Sequence, residues 1–263
     1  MAGESFRRLR LAEVEDSIRL LQRFGASGGR LLEIGAGTGW QAKALADAGY
    51  EVEAIDLPAE TGISGHAAAR EWPIRDYDGA HIPFPDASFD LIYSSNVLEH
   101  VEQLEELAAD MQRVLRPGGI ALHLVPNRQW RLLSLLTYYP GQVADFLRWL
   151  RRERQAASPA HDSSAPSSRG LLAKALHRLI PPTHGAEGTP LSELARFSKR
   201  RWDDFFQSAG WDVLYYGNNG LAASGDYLLG TWLGITMRRR VGRAIGGIAH
   251  VYVTRPRAAH DLL

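Results

Sequence analysis

A short glycine-rich segment constrains this chain more than any other feature. Residues 31–34 read Leu-Leu-Glu-Ile, and they lead directly into Gly-Ala-Gly-Thr-Gly at 35–39. Glycine adopts backbone dihedrals that other residues avoid, and it lets a ligand lie against the backbone. The segment therefore predicts a ligand-binding turn between an apolar strand and a helix. Its spacing is not that of the dinucleotide fingerprint, in which the last glycine comes one residue later.

Composition limits the class of protein. The chain has 263 residues, of which 45% are hydrophobic, and this is enough to bury one full core. Its 30 basic and 30 acidic residues cancel, so no overall charge favours nucleic acid as a partner. The absence of cysteine excludes disulfides and thiolate metal sites and agrees with a reducing compartment. Since neither a signal peptide nor a spanning apolar run is evident, we expect a cytoplasmic protein, with peripheral attachment to the inner face of the membrane left open.

Strand-like and helix-like segments alternate through the first half of the chain. Strands are predicted at 30–34, 51–55, 73–77, 89–93 and 120–125, and helices at 11–24, 39–48, 64–71 and 101–115. The helix at 101–115 is expected to stop at Pro117-Gly118-Gly119. Such alternation predicts an α/β fold, a doubly wound and mostly parallel sheet with helices on both faces.

The alternation breaks after residue 126. Residues 128–154 are helix-like, aromatic and basic, whereas the serine- and proline-rich residues 155–169 predict a loop. A further helix is predicted at 199–209, with strands at 211–216 and 248–254. We expect a single domain over 1–263, with its core at 25–127 and 198–255. The segment 128–197 is expected to be an insertion or lid, because it has too few apolar residues for a core of its own.

Three further motifs follow the glycine turn. Asp56 ends the second strand, residues 78–90 read Asp-Gly-Ala-His-Ile-Pro-Phe-Pro-Asp-Ala-Ser-Phe-Asp, and residues 94–101 read Ser-Ser-Asn-Val-Leu-Glu-His-Val. Together the four motifs resemble the class I S-adenosylmethionine-dependent methyltransferases, with a core of the type 11 kind, over residues 31–126. The resemblance implies a Rossmann-like sheet of seven strands with an antiparallel last strand, S-adenosyl-L-methionine as the cofactor, and transferase activity.

The resemblance also implies a set of cofactor contacts. Glu33 would hold the methionine end, Asp56 the ribose hydroxyls and Asp78 the adenine amino group. The full implied set is Glu33, Gly35, Ala36, Gly37, Gly39, Asp56, Leu57, Asp78, Gly79, Ser94, Ser95 and Asn96. A carboxylate suits the ribose because two hydroxyl donors need two acceptor oxygens on a rigid strand end. Two alternatives remain open, namely that Asp56 only caps the turn before Pro58 and that Asp78 only faces solvent.

Two histidines are candidates for the catalytic base. A hydroxyl acceptor gains from a general base, for which histidine is suited near neutral pH, whereas an amine needs only to arrive neutral. His184 lies in a loop of prolines and glycines with no packing task, and His100 is the penultimate residue of the motif at 94–101. Each has a structural alternative, an exposed loop residue for His184 and a helix-start residue bonded to backbone for His100. His123 alternates with leucines on the fifth strand and is expected to be packed. No metal site is expected, since the carboxylates form no ligand cluster in the sequence.

The acceptor side is less defined. Aromatic, leucine and arginine residues crowd 130–154, which is typical of a lid or of a helix at an anionic lipid surface. Residues 182–202 weakly resemble methyltransferases that act on saccharides or lipid-linked glycans. We therefore expect O-methylation of a small-molecule or lipid-linked saccharide acceptor. The alternatives are N- or C-methylation of a small metabolite, and an inactive cofactor-binding scaffold that pairs with a partner.

Overall fold

The structure, a computed structural model, describes residues 2–58, 70–156, 184, 189, 192–223 and 233–258. The helices are α1 (Ala2–Arg23), α2 (Trp40–Asp47), α3 (Leu104–Val114), α4 (Arg128–Ala156), α5 (Glu193–Arg196), α6 (Lys199–Ser208) and α7 (Ile235–Ile245). The strands are β1 (Gly29–Ile34), β2 (Tyr50–Asp56), β3 (Arg75–Asp76), β4 (Phe89–Ser95), β5 (Leu115–Pro126), β6 (Trp211–Asn218) and β7 (Ala249–Pro256). The predicted helix at 64–71 and the predicted loop at 155–169 lie mostly outside the described residues.

The seven strands form one sheet in the order β3-β2-β1-β4-β5-β7-β6. The pairs from β3 to β5 are parallel, and β7 runs antiparallel to both of its neighbours. The predicted seven-stranded, doubly wound α/β sheet with an antiparallel last strand is therefore confirmed. The strand order reverses between β1 and β4, and the carboxyl ends of strands at such a switch point form the usual ligand crevice of an open α/β sheet.

Both faces of the sheet are covered because successive side chains of each strand point to opposite sides. On β4, Ile92 belongs to the cluster that contains Met111 of α3 and Phe206 of α6. Leu91 and Tyr93 belong to the opposite cluster, which includes residues of α1 and α2. The sheet and the helices on its two faces therefore form three layers beneath the crevice.

Several boundaries differ from the sequence prediction, and the largest difference is at α1, which begins at Ala2 rather than at 11. A 3₁₀ turn, Leu98–His100, precedes α3, so that the helix begins at Leu104 rather than at 101. Strand β5 begins at Leu115, five residues before the predicted start, because Leu115 pairs with Phe89 and the ladder continues beyond an irregularity. The proline and glycines at 117–119 therefore lie within the span of the strand, where Gly118 has a φ of +83°.

Helix α4 confirms the helical prediction for 128–154. The side chain of Asn127 accepts a hydrogen bond from the Trp130 N–H at 2.9 Å, so it acts as the N-cap of the helix. Over the part of the chain that the structure describes, no helix is long and apolar enough to cross a membrane. Helix α7 lies in the connection between β6 and β7.

Candidate functional site

The glycine turn after β1 is fixed to the end of β2 through its backbone. The Gly35 and Ala36 N–H groups both donate to the Ile55 carbonyl, at 2.9 and 3.1 Å. Gly35 and Gly39 have φ of +75° and +82°, and a Cβ on either would collide with Val97 or Trp72 respectively. Glycine is therefore required at both positions by dihedral angle and by close packing.

Asp56 sits at the end of β2 beside this turn. Its carboxylate accepts hydrogen bonds from the Gly37 N–H and, at 2.7 Å, from the Leu57 N–H. Burial raises the pKa of Asp56 above its usual value, and the two amides oppose that rise. Asp56 therefore does cap the turn that follows it. Each carboxylate oxygen still has a second lone pair with which it can accept from a ligand hydroxyl.

Glu33 is buried beneath the turn, with 1% of the residue exposed. Burial, with Asp56 nearby, raises the pKa of Glu33 to about 8. Its Oε2 atom has no hydrogen-bond partner among the described residues. A buried carboxylate oxygen without a donor is costly, and the ammonium group of S-adenosylmethionine is the kind of donor it lacks. The residues at this end of the crevice therefore fit that cofactor.

Asp78 is exposed and forms a small turn of its own. One oxygen accepts from the backbone N–H groups of Ala80 (2.9 Å) and His81 (2.7 Å), and the other contacts His81 Nδ1 at 2.7 Å. These hydrogen bonds hold the pKa of Asp78 at about 2. Gly79, with a φ of +97°, lies so close to Leu57 that a Cβ there would be 3.3 Å from the leucine methyl. Leu57 and Gly79 are therefore neighbours at the edge of the crevice.

The residues at the end of β4 differ in burial. Ser94 is buried, and its hydroxyl is hydrogen-bonded to His123 Nδ1 at 2.8 Å, so its side chain is directed away from the crevice. Ser95 and Asn96 are half-buried, and Asn96 has a φ of +56°. His123 is packed, as expected, against Phe206, and burial lowers its pKa to about 3.

The fold brings His100 and His184 together. Their ring centroids are 4.8 Å apart, and the Trp130 ring lies 4.4 Å from that of His184. The backbone N–H of His184 donates to Glu193 Oε1 at 2.5 Å. The side chain of His184 is 37% exposed. The backbone of His184 is thus held in place and its ring packs on Trp130, whereas the alternative was a loop residue with no such contacts.

Glu99 lies beneath the two rings and is the main residue that sequence reasoning missed. Its side chain is 1% exposed, and Oε1 is 3.8 Å from His100 Nε2 and 3.9 Å from His184 Nε2. Burial raises the pKa of Glu99 to about 8 and lowers that of His100. Burial, then His100 and two arginines, lower the pKa of His184 to about 4. The only sequence signal for Glu99 was its position next to His100.

Helix α1 contributes charge to the same region. Arg10 donates to Glu13 Oε2 at 2.8 Å, and Asn219 donates to the other Glu13 oxygen at 2.6 Å. Arg10 also interacts electrostatically with Glu99 and His184. No motif marked Arg10, Glu13 or Trp130, since each acts through contacts between segments distant in the chain.

Comparisons with known proteins identify the family and the fold of this chain. A family model described as a methyltransferase domain matches residues 4–163. A Mycolicibacterium smegmatis protein named "Probable S-adenosylmethionine-dependent methyltransferase" is 33% identical over 131 residues, which are 50% of this chain and 48% of that protein. The chain therefore spans about half the length of the curated relatives it matches.

Solved structures share the fold. A Pyrococcus horikoshii protein is 15% identical with a TM-score of 0.51, over 95% of this chain and 91% of that one. The Burkholderia thailandensis 1,6-didemethyltoxoflavin-N1-methyltransferase, solved with 1,6-didemethyltoxoflavin and S-adenosylhomocysteine, is 12% identical with a TM-score of 0.50. It matches over 94% of this chain and 79% of its own. At these identities the likeness is one of fold alone.

Proposed function

This chain belongs to the methyltransferase-domain family with the class I fold, and from that premise we propose that it transfers a methyl group from S-adenosyl-L-methionine to an oxygen of its acceptor. When bound, the cofactor supplies a methyl group already activated by the sulfonium. What the protein must add is alignment of the acceptor, exclusion of water and removal of the acceptor's proton. The unpartnered, buried Glu33 oxygen beside the glycine turn is the observation that supports cofactor binding.

We assign the cofactor to the crevice formed by the glycine turn and the ends of β2 and β4. Glu33 would accept from the ammonium group, and Asp56 from the ribose hydroxyls. Leu57 and Gly79 would border the adenine, while Asp78 would accept from its amino group through lone pairs that its own turn leaves over. The remaining contacts in the proposal are Gly35, Ala36, Gly37, Gly39, Ser94 through its backbone, Ser95 and Asn96.

The single observation that favours oxygen as the acceptor atom is the contact between His100 and His184. A hydroxyl must lose a proton as it is methylated, whereas a neutral amine need not do so beforehand. Imidazole accepts and releases protons near neutral pH, so two imidazoles above a buried carboxyl are suited to removing that proton. We therefore assign His184, with His100 beside it, to contact with the acceptor oxygen.

The acceptor is proposed to be a small molecule or a lipid-linked saccharide, enclosed by 128–197 as a lid on the core of 25–127 and 198–255. Leu132, Leu136 and Tyr139 support an amphiphilic acceptor or a membrane surface nearby. They recur at helical spacing on α4 and are 51%, 64% and 50% exposed. An apolar stripe of this kind on a helix suits the interface of a bilayer.

The test is a screen of hydroxyl, amine and carbon acceptors with S-adenosylmethionine that carries an isotopically labelled methyl group. The position of the label in the product is then determined. Label on oxygen is the expected result. Label on nitrogen or carbon would contradict the oxygen assignment and leave transfer intact. Cofactor binding with no label in any acceptor would support a scaffold without transferase activity.

A further inference from the structure

We propose that Glu99, His100 and His184 form a binding site for one divalent first-row transition-metal ion. The role suggested for the ion, holding the acceptor oxygen, rests on the proposed function, but its binding does not. No metal was expected from the residue pattern, because His184 is 85 positions from Glu99 in the chain and only the fold brings them together.

The geometry suits a common ion. One carboxylate oxygen and one nitrogen from each histidine all lie within 4.8 Å of one another. Imidazole and carboxylate ligands bind such ions at about 2.0–2.2 Å, so two ligands of one tetrahedral ion are about 3.4 Å apart. The two distances from Glu99 Oε1, 3.8 and 3.9 Å, exceed that separation by about 0.5 Å. Both imidazoles are only half-buried, and their rotation toward Glu99 would bring the three ligand atoms to the separation that one ion needs.

The state of Glu99 is the independent second observation. Its carboxylate is buried, and apart from its own amide neither oxygen meets a hydrogen-bond donor among the residues that the structure describes. A buried carboxyl is costly unless it is paired or coordinates a metal. Its Oε1 atom is near both imidazoles, and a cation bound among these three groups would provide the missing partner.

The neighbouring positive charges are compensated. Arg10 of α1 and Arg131 of α4 both face His184 electrostatically. Arg10 is paired with Glu13 at 2.8 Å, and Arg131 with Glu193 at 2.7 Å. The local field therefore does not exclude a cation.

The surroundings also hold the ligands in place. Glu193 anchors the His184 backbone, and Trp130 packs on its ring. Partners that orient ligands in this way raise metal affinity.

The donor set indicates both the kind of ion and its use. Two imidazoles and one carboxylate suit Zn²⁺, Mn²⁺ or Co²⁺ and leave further coordination positions open. An acceptor hydroxyl bound at an open position loses its proton more readily. In this arrangement the histidines assist removal of the acceptor's proton as ligands of the ion rather than as bases, and the proton leaves to solvent before the methyl group is transferred. The oxygen is then free to form its bond to the methyl group as the bond from sulfur to methyl breaks.

The experiment is equilibrium dialysis of the full chain, freed of metal with chelator, against ZnCl₂, MnCl₂ or CoCl₂, with metal analysis and the visible spectrum of the cobalt form. We expect one ion per chain for at least one of the three metals. Glu99→Gln and His184→Ala should each lose at least about tenfold in affinity, the loss that even an outer partner of a ligand causes. Glu51→Gln and His81→Ala, an exposed acid on β2 and an exposed histidine outside the cluster, are the matched controls and should bind the metal as the parent does.

Calorimetry with S-adenosylmethionine on the same samples separates the two proposals. Cofactor binding without a stoichiometric ion, or equal metal affinity in the variants and controls, would overturn the metal site alone. Metal binding without cofactor binding would contradict the proposed function and leave the metal site standing. His184→Ala is the second variant in case Glu99→Gln does not fold, because His184 lies at the surface and is partly exposed.

Discussion

The backbone N–H of His184 donates a 2.5 Å hydrogen bond to the side chain of Glu193, the first residue of helix α5. The other Glu193 oxygen lies 2.7 Å from Arg131 of α4, and both side chains are at most 4% exposed. The buried carboxylate of Glu193 therefore connects α4 and α5 with His184, the residue that we assign to contact with the acceptor oxygen. The position of His184 depends on this ion pair.

Glu193→Ala should destabilise the protein by about 3–5 kcal/mol, because it leaves Arg131 as a buried charge without this carboxylate. Glu193→Gln is the matched control, since its oxygen can still accept from the His184 amide while the charge is lost. Urea unfolding of both variants measures the change. A loss below about 1 kcal/mol for the alanine variant would contradict the importance of the pair.

Asp56→Ala should weaken the binding of S-adenosylmethionine at least about tenfold. Hydrogen bonds to a charged group contribute about 1.5–3 kcal/mol each, and about 1.4 kcal/mol corresponds to a factor of ten. Asp47→Ala, an exposed carboxylate on α2 paired with Lys43, is the control and should leave affinity unchanged. Equal affinities of the two variants would remove the ribose assignment.

Cofactor binding should release a proton from Glu33 near pH 7. The folded carboxyl keeps its proton up to about pH 8, and the ammonium of the ligand favours the ionised form. Calorimetric titrations in two buffers with different heats of ionisation measure the released proton. The same titrations on Glu33→Gln should show no such release, and an equal release in both proteins would contradict the contact.

The same carboxyl should make stability depend on pH. Glu33 ionises near pH 4.5 when unfolded and near 8 when folded, so the folded state binds more protons in between. Its contribution to the free energy of unfolding is therefore full below pH 4.5 and is lost as pH rises through 8. The stability of Glu33→Gln relative to the parent should rise over this window, as followed by urea unfolding at several pH values. Glu99 is present in both proteins, so its similar effect cancels in the comparison.

His184→Ala should retain cofactor affinity and slow turnover about a hundredfold or more, the usual range for removal of a residue that assists proton transfer. Calorimetry and the labelled-methyl assay measure the two quantities separately. Turnover equal to that of the parent would exclude His184 from the acceptor site. A parallel loss of cofactor affinity would indicate instead that the residue supports the whole crevice.

The strands of the sheet could be predicted because the residues that determine each strand lie within that strand or directly after it. Apolar runs, the glycines at 35–39 and the acid at 56 each constrain their own segment, and parallel pairing then aligns their carboxyl ends. The start of β5 was not predictable, because Leu115 joins the sheet by pairing with Phe89 from a distant segment. A proline and two glycines read locally as a stop, although the ladder continues past them.

The candidate site was predictable only in part, for the same reason. His100 and His184 were each identified from their local surroundings, but their 4.8 Å contact joins residues 84 positions apart and is a property of the tertiary structure. Glu99 lies next to His100 in the chain, yet its burial near both imidazole rings is a property of the tertiary structure. Ser94 lies in a motif whose next two residues are half-buried, but its own hydroxyl points inward to His123.

The most direct test of the account is a calorimetric titration of the full chain with S-adenosylmethionine and, separately, with S-adenosylhomocysteine. We expect both compounds to bind with a stoichiometry of one per chain and Asp56→Ala to weaken the binding of both. No heat of binding with either compound, on folded protein, would contradict the assignment of this crevice to the cofactor.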